Sequence, residues 1–143
     1  MAIGTQQLRK GDALIIRALC FPNPNAPRDP CPTLAFFAKQ AKSNQKEFKE
    51  LCALLDYTAA YGPPQNEQKF KHLSGTDGIY EFKTWSLRLF CFMEDGSLII
   101  CMDGTTKKSN RTPPADIKRA KQMKSNYEEA KKRNAIHHAN PPT

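Results

Sequence analysis

The chain has 143 residues, 39% of them apolar, enough for one compact domain whose core needs neither disulfide nor metal. Twenty-two Lys and Arg against fourteen Asp and Glu give a net charge of +8 and a pI near 9.4, which points to polyanionic partners such as nucleic acid, an acidic protein or an anionic membrane surface. No apolar run approaches the roughly 20 residues that cross a bilayer, and the N-terminus MAIGTQQLRKGD lacks the apolar core of a signal peptide, so a soluble, cytoplasmic protein is expected.

Residues 13–21, ALIIRALCF, predict a first strand interrupted by Arg17, which is expected to face solvent. The following FPNPNAPRDPCP carries prolines at 22, 24, 27, 30 and 32, which donate no backbone hydrogen bond; it is read as an irregular surface connection rather than a polyproline recognition segment. From Thr33 the period becomes helical. Thr33 is placed to cap a short helix through Lys42 that carries Leu34, Phe36, Phe37 and Ala41. Asn44 and Glu47 read as a capping box for a second helix, on which Phe48, Leu51, Cys52, Leu55 and Ala59 form one stripe, and Gly62 and Pro63 stop it. Residues 63–78 are polar and turn-rich. Ile79–Lys83 then reads as a short strand in which Tyr80 and Phe82 oppose Glu81 and Lys83.

From Trp85 to Met93 the pattern alternates, with Leu87, Leu89, Cys91 and Met93 on one face and Ser86, Arg88, Phe90 and Phe92 on the other. Arg88 is therefore an ion set in an apolar strand. Glu94, Asp95 and Gly96 supply a hairpin turn with Gly96 expected at positive φ, and 98–102 returns as an apolar run that ends at Asp103 and Gly104. Lys107, Lys108 and Arg111 follow close behind the sheet and suggest an anion site. Thr112 and Pro113 start a last helix, with Pro113 in its first position, Asp116 in its first turn, and a stripe of Ile117, Ala120, Met123, Tyr127 and Ala130 among many Lys and Arg. A helical pair followed by strands predicts an α+β domain with helices on one sheet face. The expected domain spans 1–134, with 1–32 as a strand and Pro-rich connection and 135–143 as a disordered tail. There is no internal repeat.

The five cysteines are odd in number; Cys20, Cys52, Cys91 and Cys101 lie in apolar runs where a small hydrophobe fits, and only Cys31 sits in a loop. With no CxxC pair, and with His72, His137 and His138 too scattered for a zinc site, no metal and no other cofactor is expected.

Tyr61-Gly62-Pro63, Lys71-His72-Leu73, Gly78 through Lys83, an Arg in the next strand, an acidic and glycine turn, an apolar strand and then KKSNRTPPADIKRAK together resemble the HigB-like branch of the RelE/ParE toxin superfamily, including its phage-derived members. The resemblance covers 33–134; its most specific part is Lys107-Lys108, Thr112-Pro113, Ile117 and Ala120, and 1–32 matches less well. It implies a RelE-like fold, a small twisted antiparallel sheet with two N-terminal helices packed on it and a C-terminal helix. It also implies the toxin of a type II toxin-antitoxin system, which cuts messenger RNA in the ribosomal A site without a metal. The implied partners are the ribosome, the messenger RNA and a cognate antitoxin, often of helix-turn-helix type, that silences the toxin in a hetero-oligomer; no membrane is involved.

Such cleavage requires the ribose 2′-hydroxyl to be aligned with the adjoining phosphorus, charge on the phosphate oxygens to be stabilised and two protons to be moved. Arg88 suits the second task, because its planar fork binds two phosphate oxygens from a rigid strand. The superfamily commonly moves the protons with His, Tyr, Glu or Lys, and Asp103 stands where a His is frequent before Gly104. Lys83 or Lys107 serves as base if neighbouring cations lower its pKa from about 10.4, and Glu81 and Asp103 are the carboxylate alternatives. The expected site is Arg88, Lys83, Lys107 and Glu81 for catalysis, with Lys108, Arg111 and Lys71 on RNA phosphates. The structural alternatives are an ion pair of Arg88 with Glu81 or Glu94, a cross-strand role for Glu81, a turn role for Asp103, and packing rather than base stacking for Trp85. Two other functions fit the same residues: a non-catalytic module that kept the fold and binds nucleic acid or a partner, and a toxin that poisons DNA gyrase.

Overall fold

In the computed structural model, which describes residues 2–22, 25, 30–107 and 112–139, the chain forms β1 (Ile3–Lys10), β2 (Ile15–Cys20), α1 (Pro32–Ser43), α2 (Gln45–Tyr61), β3 (Phe70–His72), β4 (Ile79–Lys83), β5 (Leu87–Asp95), β6 (Leu98–Thr106), α3 (Pro114–Lys132) and β7 (Ile136–Ala139). The strands make one sheet in the order β3-β4-β5-β6-β2-β1-β7. Neighbours are antiparallel except β2 with β6 and β1 with β7, which are parallel.

Side-chain alternation in β5 and β6 feeds two cores rather than a core and solvent. Leu87, Leu89, Cys91, Ile99 and Cys101 pack under α1 and α2 with Phe36, Phe37, Leu51 and Leu55. Phe90, Phe92, Ile100 and Met102 face the opposite way, against Ala120, Tyr127 and Ala130 of α3. A sheet covered on both faces explains why these strands read as near-continuous apolar runs. The stripes of α2 and α3 are met in part: Leu51, Leu55, Ala59, Ala120, Tyr127 and Ala130 are buried, Phe48, Cys52, Ile117 and Met123 are half-buried, and the buried face of α2 also takes in Leu54 and Thr58. No helix among the described residues is long and apolar enough to cross a membrane.

Several expectations are corrected. The architecture is mixed rather than purely antiparallel, and two strands precede the helices. β1 and β3 went unread because each is short or polar, with Gln6, Gln7 and Arg9 in one and Lys71 and His72 in the other. Residues 136–139, read as part of a disordered tail, pair instead with β1. Arg17 does not face solvent: it is buried beneath that added strand, its Nε donating to Thr5 Oγ1 at 2.9 Å and a terminal nitrogen donating to the Ala139 carbonyl. β6 runs past Asp103 and Gly104 to Thr106. Gly96 is not at positive φ, and the turn is held instead by Asp95 Oδ1, which accepts from Ser97 N at 2.7 Å and Ser97 Oγ at 2.9 Å. None of the three proposed helix caps, Thr33, Asn44 and Thr112, closes through its side chain. α1 begins at Pro32 with the Thr33 hydroxyl buried and without a hydrogen-bond partner, and α3 begins at Pro114 with Pro113 in the cap position. Half of the Pro-rich connection, residues 23, 24 and 26–29, lies outside the described residues.

The expected capping box does not form on the backbone of α2, and Glu47 serves elsewhere. Asn44 Nδ2 does donate to its Oε2 at 3.0 Å, but the carboxylate also accepts from Thr84 Oγ1 and from Ser86 N, both at 2.7 Å, and from Ser86 Oγ. α2 thereby grips the β4–β5 turn on either side of Trp85. Burial alone pushes the Glu47 pKa up, yet the hydrogen bonds from Ser86, Asn44 and Thr84 outweigh it and bring the group from 4.5 down to about 2. Gly104 is a second fixed point, since a Cβ there would meet the Phe36 ring at 2.3 Å.

Glu47→Gln loses charge-assisted bonds and is expected to cost about 1–3 kcal/mol at neutral pH. Because the folded pKa is depressed, this contribution is complete above 4.5 and is lost as pH falls toward 2, so denaturant titrations of the two proteins should converge across that window. Gly104→Ala overpacks a rigid ring and is expected to lower stability by about 1–3 kcal/mol in the same titration. Gly96→Ala, with nothing within 4 Å, should stay within about 0.5 kcal/mol of the parent.

Candidate functional site

Strand register assembles the site. Lys83 pairs with Arg88, Glu81 with Phe90, and Lys71 with Glu81. Directly opposite residues share a face, and so do positions two apart on one strand. Lys71, Glu81, Lys83 and Arg88 therefore stand together on the α3 side of the sheet, at the end near the β4–β5 turn.

Arg88 is only 4% exposed. One terminal nitrogen donates to the carbonyls of Thr84 at 2.6 Å and Leu87 at 2.8 Å. Its Nε is buried without a hydrogen-bond partner, and the nearest carboxylate, Glu81 Oε1, is 3.9 Å away, too far for a hydrogen bond. Burial lowers the Arg88 pKa, and Glu81 and Glu47 work against that shift; a guanidinium stays charged regardless. The ion pair with Glu81 exists, but it leaves part of the guanidinium's donor capacity unused.

Lys107 reaches the same carboxylate through a hydroxyl. Its Nζ lies 3.4 Å from Thr112 Oγ1, which donates to Glu81 Oε2 at 2.9 Å, and all three residues are buried. The Lys107 amide also donates to the Ser86 carbonyl at 2.8 Å, fastening the end of β6 beside the Glu47-held turn. Thr112, read as a helix cap, is instead the link between α3 and the sheet interior. The Lys107 pKa is lowered, first by burial and then by Arg88, with Lys83 and Lys71 adding and Glu81 opposing. Lys83 is lowered in the same order of causes, burial before Arg88, with Glu81 opposing and Lys71 adding. Several cations around one buried carboxylate leave a positive field that an entering phosphate would relieve.

Other candidates are engaged elsewhere. Asp103 receives a bond from Arg119 Nε at 3.0 Å and from the Gly104 amide at 2.7 Å, so it ties β6 to α3. Glu94 is paired with Lys131 rather than Arg88. His72 stacks edge-on against Tyr80, on the sheet face opposite Glu81, and His138 bonds Thr5 at the far edge. Lys71 is exposed on the edge strand beside the cluster. Lys108 and Arg111 lie outside the described residues. Among the described residues no group of three His, Cys, Asp or Glu could hold a metal ion.

A cleft of about 1330 Å³ opens next to the cluster, between the C-terminal half of α2, residues 63–71 and the β4–β5 turn; Lys71, Lys83 and Arg88 reach its wall. Tyr57 and Tyr61 also line it; in the sequence Tyr61 figured only as part of a motif and Tyr57 was passed over, although both fall off the apolar stripe of α2 at a spacing of four. Glu47 was missed as a positioning residue, because its partners lie 37 and 39 residues away.

Comparison with curated proteins gives no match. A family model described as Phage derived protein Gp49-like (DUF891) matches residues 34–125, which run from α1 into α3 and contain the whole hairpin, Lys71, Glu81, Lys83, Arg88, Lys107 and Thr112. With more than half of its length matched, the chain belongs to this Gp49-like family of phage-derived proteins.

Proposed function

We propose that the protein is the toxin of a type II toxin-antitoxin system, and that it cuts messenger RNA on the ribosome without a metal. Membership of the Gp49-like family, which is related to toxins of that kind, supports the first part. One observation carries the second: Arg88 is buried in a rigid strand with its Nε unpartnered, beside Lys83 and Lys107, whose pKa values are lowered. This is a preorganised anion cradle next to amines that burial and neighbouring cations make easier to deprotonate than an ordinary lysine.

In this reading the messenger's phosphate enters along the cleft and takes bonds from Arg88. Lys83, which lines the cleft, accepts the proton of the ribose 2′-hydroxyl as its oxygen attacks phosphorus. The P–O5′ bond breaks, leaving a 2′,3′-cyclic phosphate and a 5′-oxygen that takes a proton from water. Arg88 stabilises the added charge on the non-bridging oxygens, and the Lys107–Thr112–Glu81 chain keeps Arg88 in place and its surroundings positive. An acidic segment of a cognate antitoxin would silence the toxin by occupying the same cations. A second reading, RNA binding without cleavage, is favoured by the absence of a histidine from the cluster.

The test is to map new 5′ ends on messenger RNA, free and on programmed ribosomes. Cleavage confined to the A site is expected, with Arg88→Ala slowing it about 10²–10³-fold and Arg88→Lys restoring only part, since an ammonium is a point charge. Intact RNA from folded, antitoxin-free protein would sink the nuclease reading. The base must be neutral to act, so the rate should rise with pH and level off below the ordinary lysine range; in Lys83→Arg the rate should fall and this rising limb should vanish, because a guanidinium does not titrate there.

A further inference from the structure

Trp85, Tyr61 and Tyr57 are the exposed large apolar side chains of the described residues, at 90%, 76% and 48%. All three line the cleft beside Arg88. Scattered single exposed aromatics need no explanation, but their concentration in one cleft does. Tyr57 and Tyr61 stand one helical turn apart on α2 with ring centroids 5.1 Å from each other. Trp85 is nearly bare to solvent, yet its chain neighbours Thr84 and Ser86 are both held by Glu47. An indole ring is thus offered to solvent from a fixed backbone.

The rest of the lining says what such rings would meet. Lys69, Lys71, Lys83 and Arg88 face Glu50 as the single carboxylate among the described lining residues, and Gln65, Asn66 and Gln68 add amides. Flat ring faces, cations and amides in one groove match a polymer that carries a phosphate and a planar base on every unit. In a duplex the base faces are stacked away, so the rings select unpaired nucleotides.

We propose that this cleft holds single-stranded RNA, with unpaired bases stacked on Trp85 and on the Tyr57–Tyr61 pair and with backbone phosphates on Lys69 and Lys71. The cleft leads the strand to Arg88, so the inference rests on the reading of that cluster as directed at RNA.

Trp85 is the only tryptophan, so its emission reports on this surface alone. The full chain is titrated with an unstructured ten-nucleotide oligoribonucleotide, with a duplex of equal length and with a Glu-rich peptide, and affinity is read in parallel by anisotropy of the labelled probe. Saturable quenching by the single strand is expected, with weaker binding of the duplex. Trp85→Ala and Tyr61→Ala should each weaken binding about 5- to 100-fold, while Trp85→Phe keeps most of it. Both side chains are exposed, and unchanged circular dichroism would certify the fold of each variant. Overturning results are no binding up to about 100 µM, equal affinity in the alanine variants, duplex binding as tight as the single strand, or quenching by the acidic peptide alone, which would assign the cleft to a protein segment. Ribosomal cleavage is read separately. Quenching by a protein that cuts nothing overturns the nuclease reading and keeps the cleft, and cleavage without stacking does the reverse.

Discussion

A guanidinium set in a sheet that is covered on both faces must find its acceptors within the chain, because water reaches it poorly and an unpaired buried charge is costly. Arg88 meets this constraint with two backbone carbonyls of the β4–β5 turn and a carboxylate at 3.9 Å. One of those carbonyls belongs to Thr84, whose side chain hangs from Glu47 on α2. The position of the cation thus depends on a carboxylate on the other side of the sheet. Helix, turn and buried strand behave as one unit, and the exposed Trp85 rides on it.

The compromise at Arg88 also governs its neighbours. Glu81 serves Arg88 directly and Lys107 through Thr112, so one carboxylate is shared by two cations, and Lys83 and Lys71 stand opposite on the flanking strands. The lysine pKa values are lowered first by burial and then by the Arg88 guanidinium, and groups perturbed in this way concentrate at functional sites.

The family match divides the sheet. Residues 34–125 include the two N-terminal helices, the hairpin and most of α3, whereas β1, β2 and β7 fall outside it. Those outer strands are far from inert: β2 extends the sheet beyond β6 in parallel, and buried Arg17 ties β7 onto β1 through Thr5 and the Ala139 carbonyl. Every charged residue of the cluster around Arg88 lies within the matched segment. The additions widen the platform and leave the site as the matched part builds it.

Much was legible in the residues. The alternation from Trp85 to Met93 marked Arg88 as an ion in an apolar strand, the period of 48–59 set the buried face of α2, and the motif between Tyr61 and Ala120 pointed to a toxin-like, phage-derived family. These are local signals, carried by side-chain spacing within one element or by short motifs. Local pattern was silent on long-range pairing. Arg17 looked solvent-exposed because nothing in 13–21 announces that a strand formed from the last residues will cover it, and Glu47 looked like a cap because Asn44 is three residues away whereas Ser86 is 39. Sequence alone therefore determined the hairpin, much of the helical faces and the net positive charge. Only the tertiary structure decided which cations share Glu81 and which aromatics stand over the cleft, because register across strands and the packing of α2 on the turn bring together residues that no short window of sequence contains.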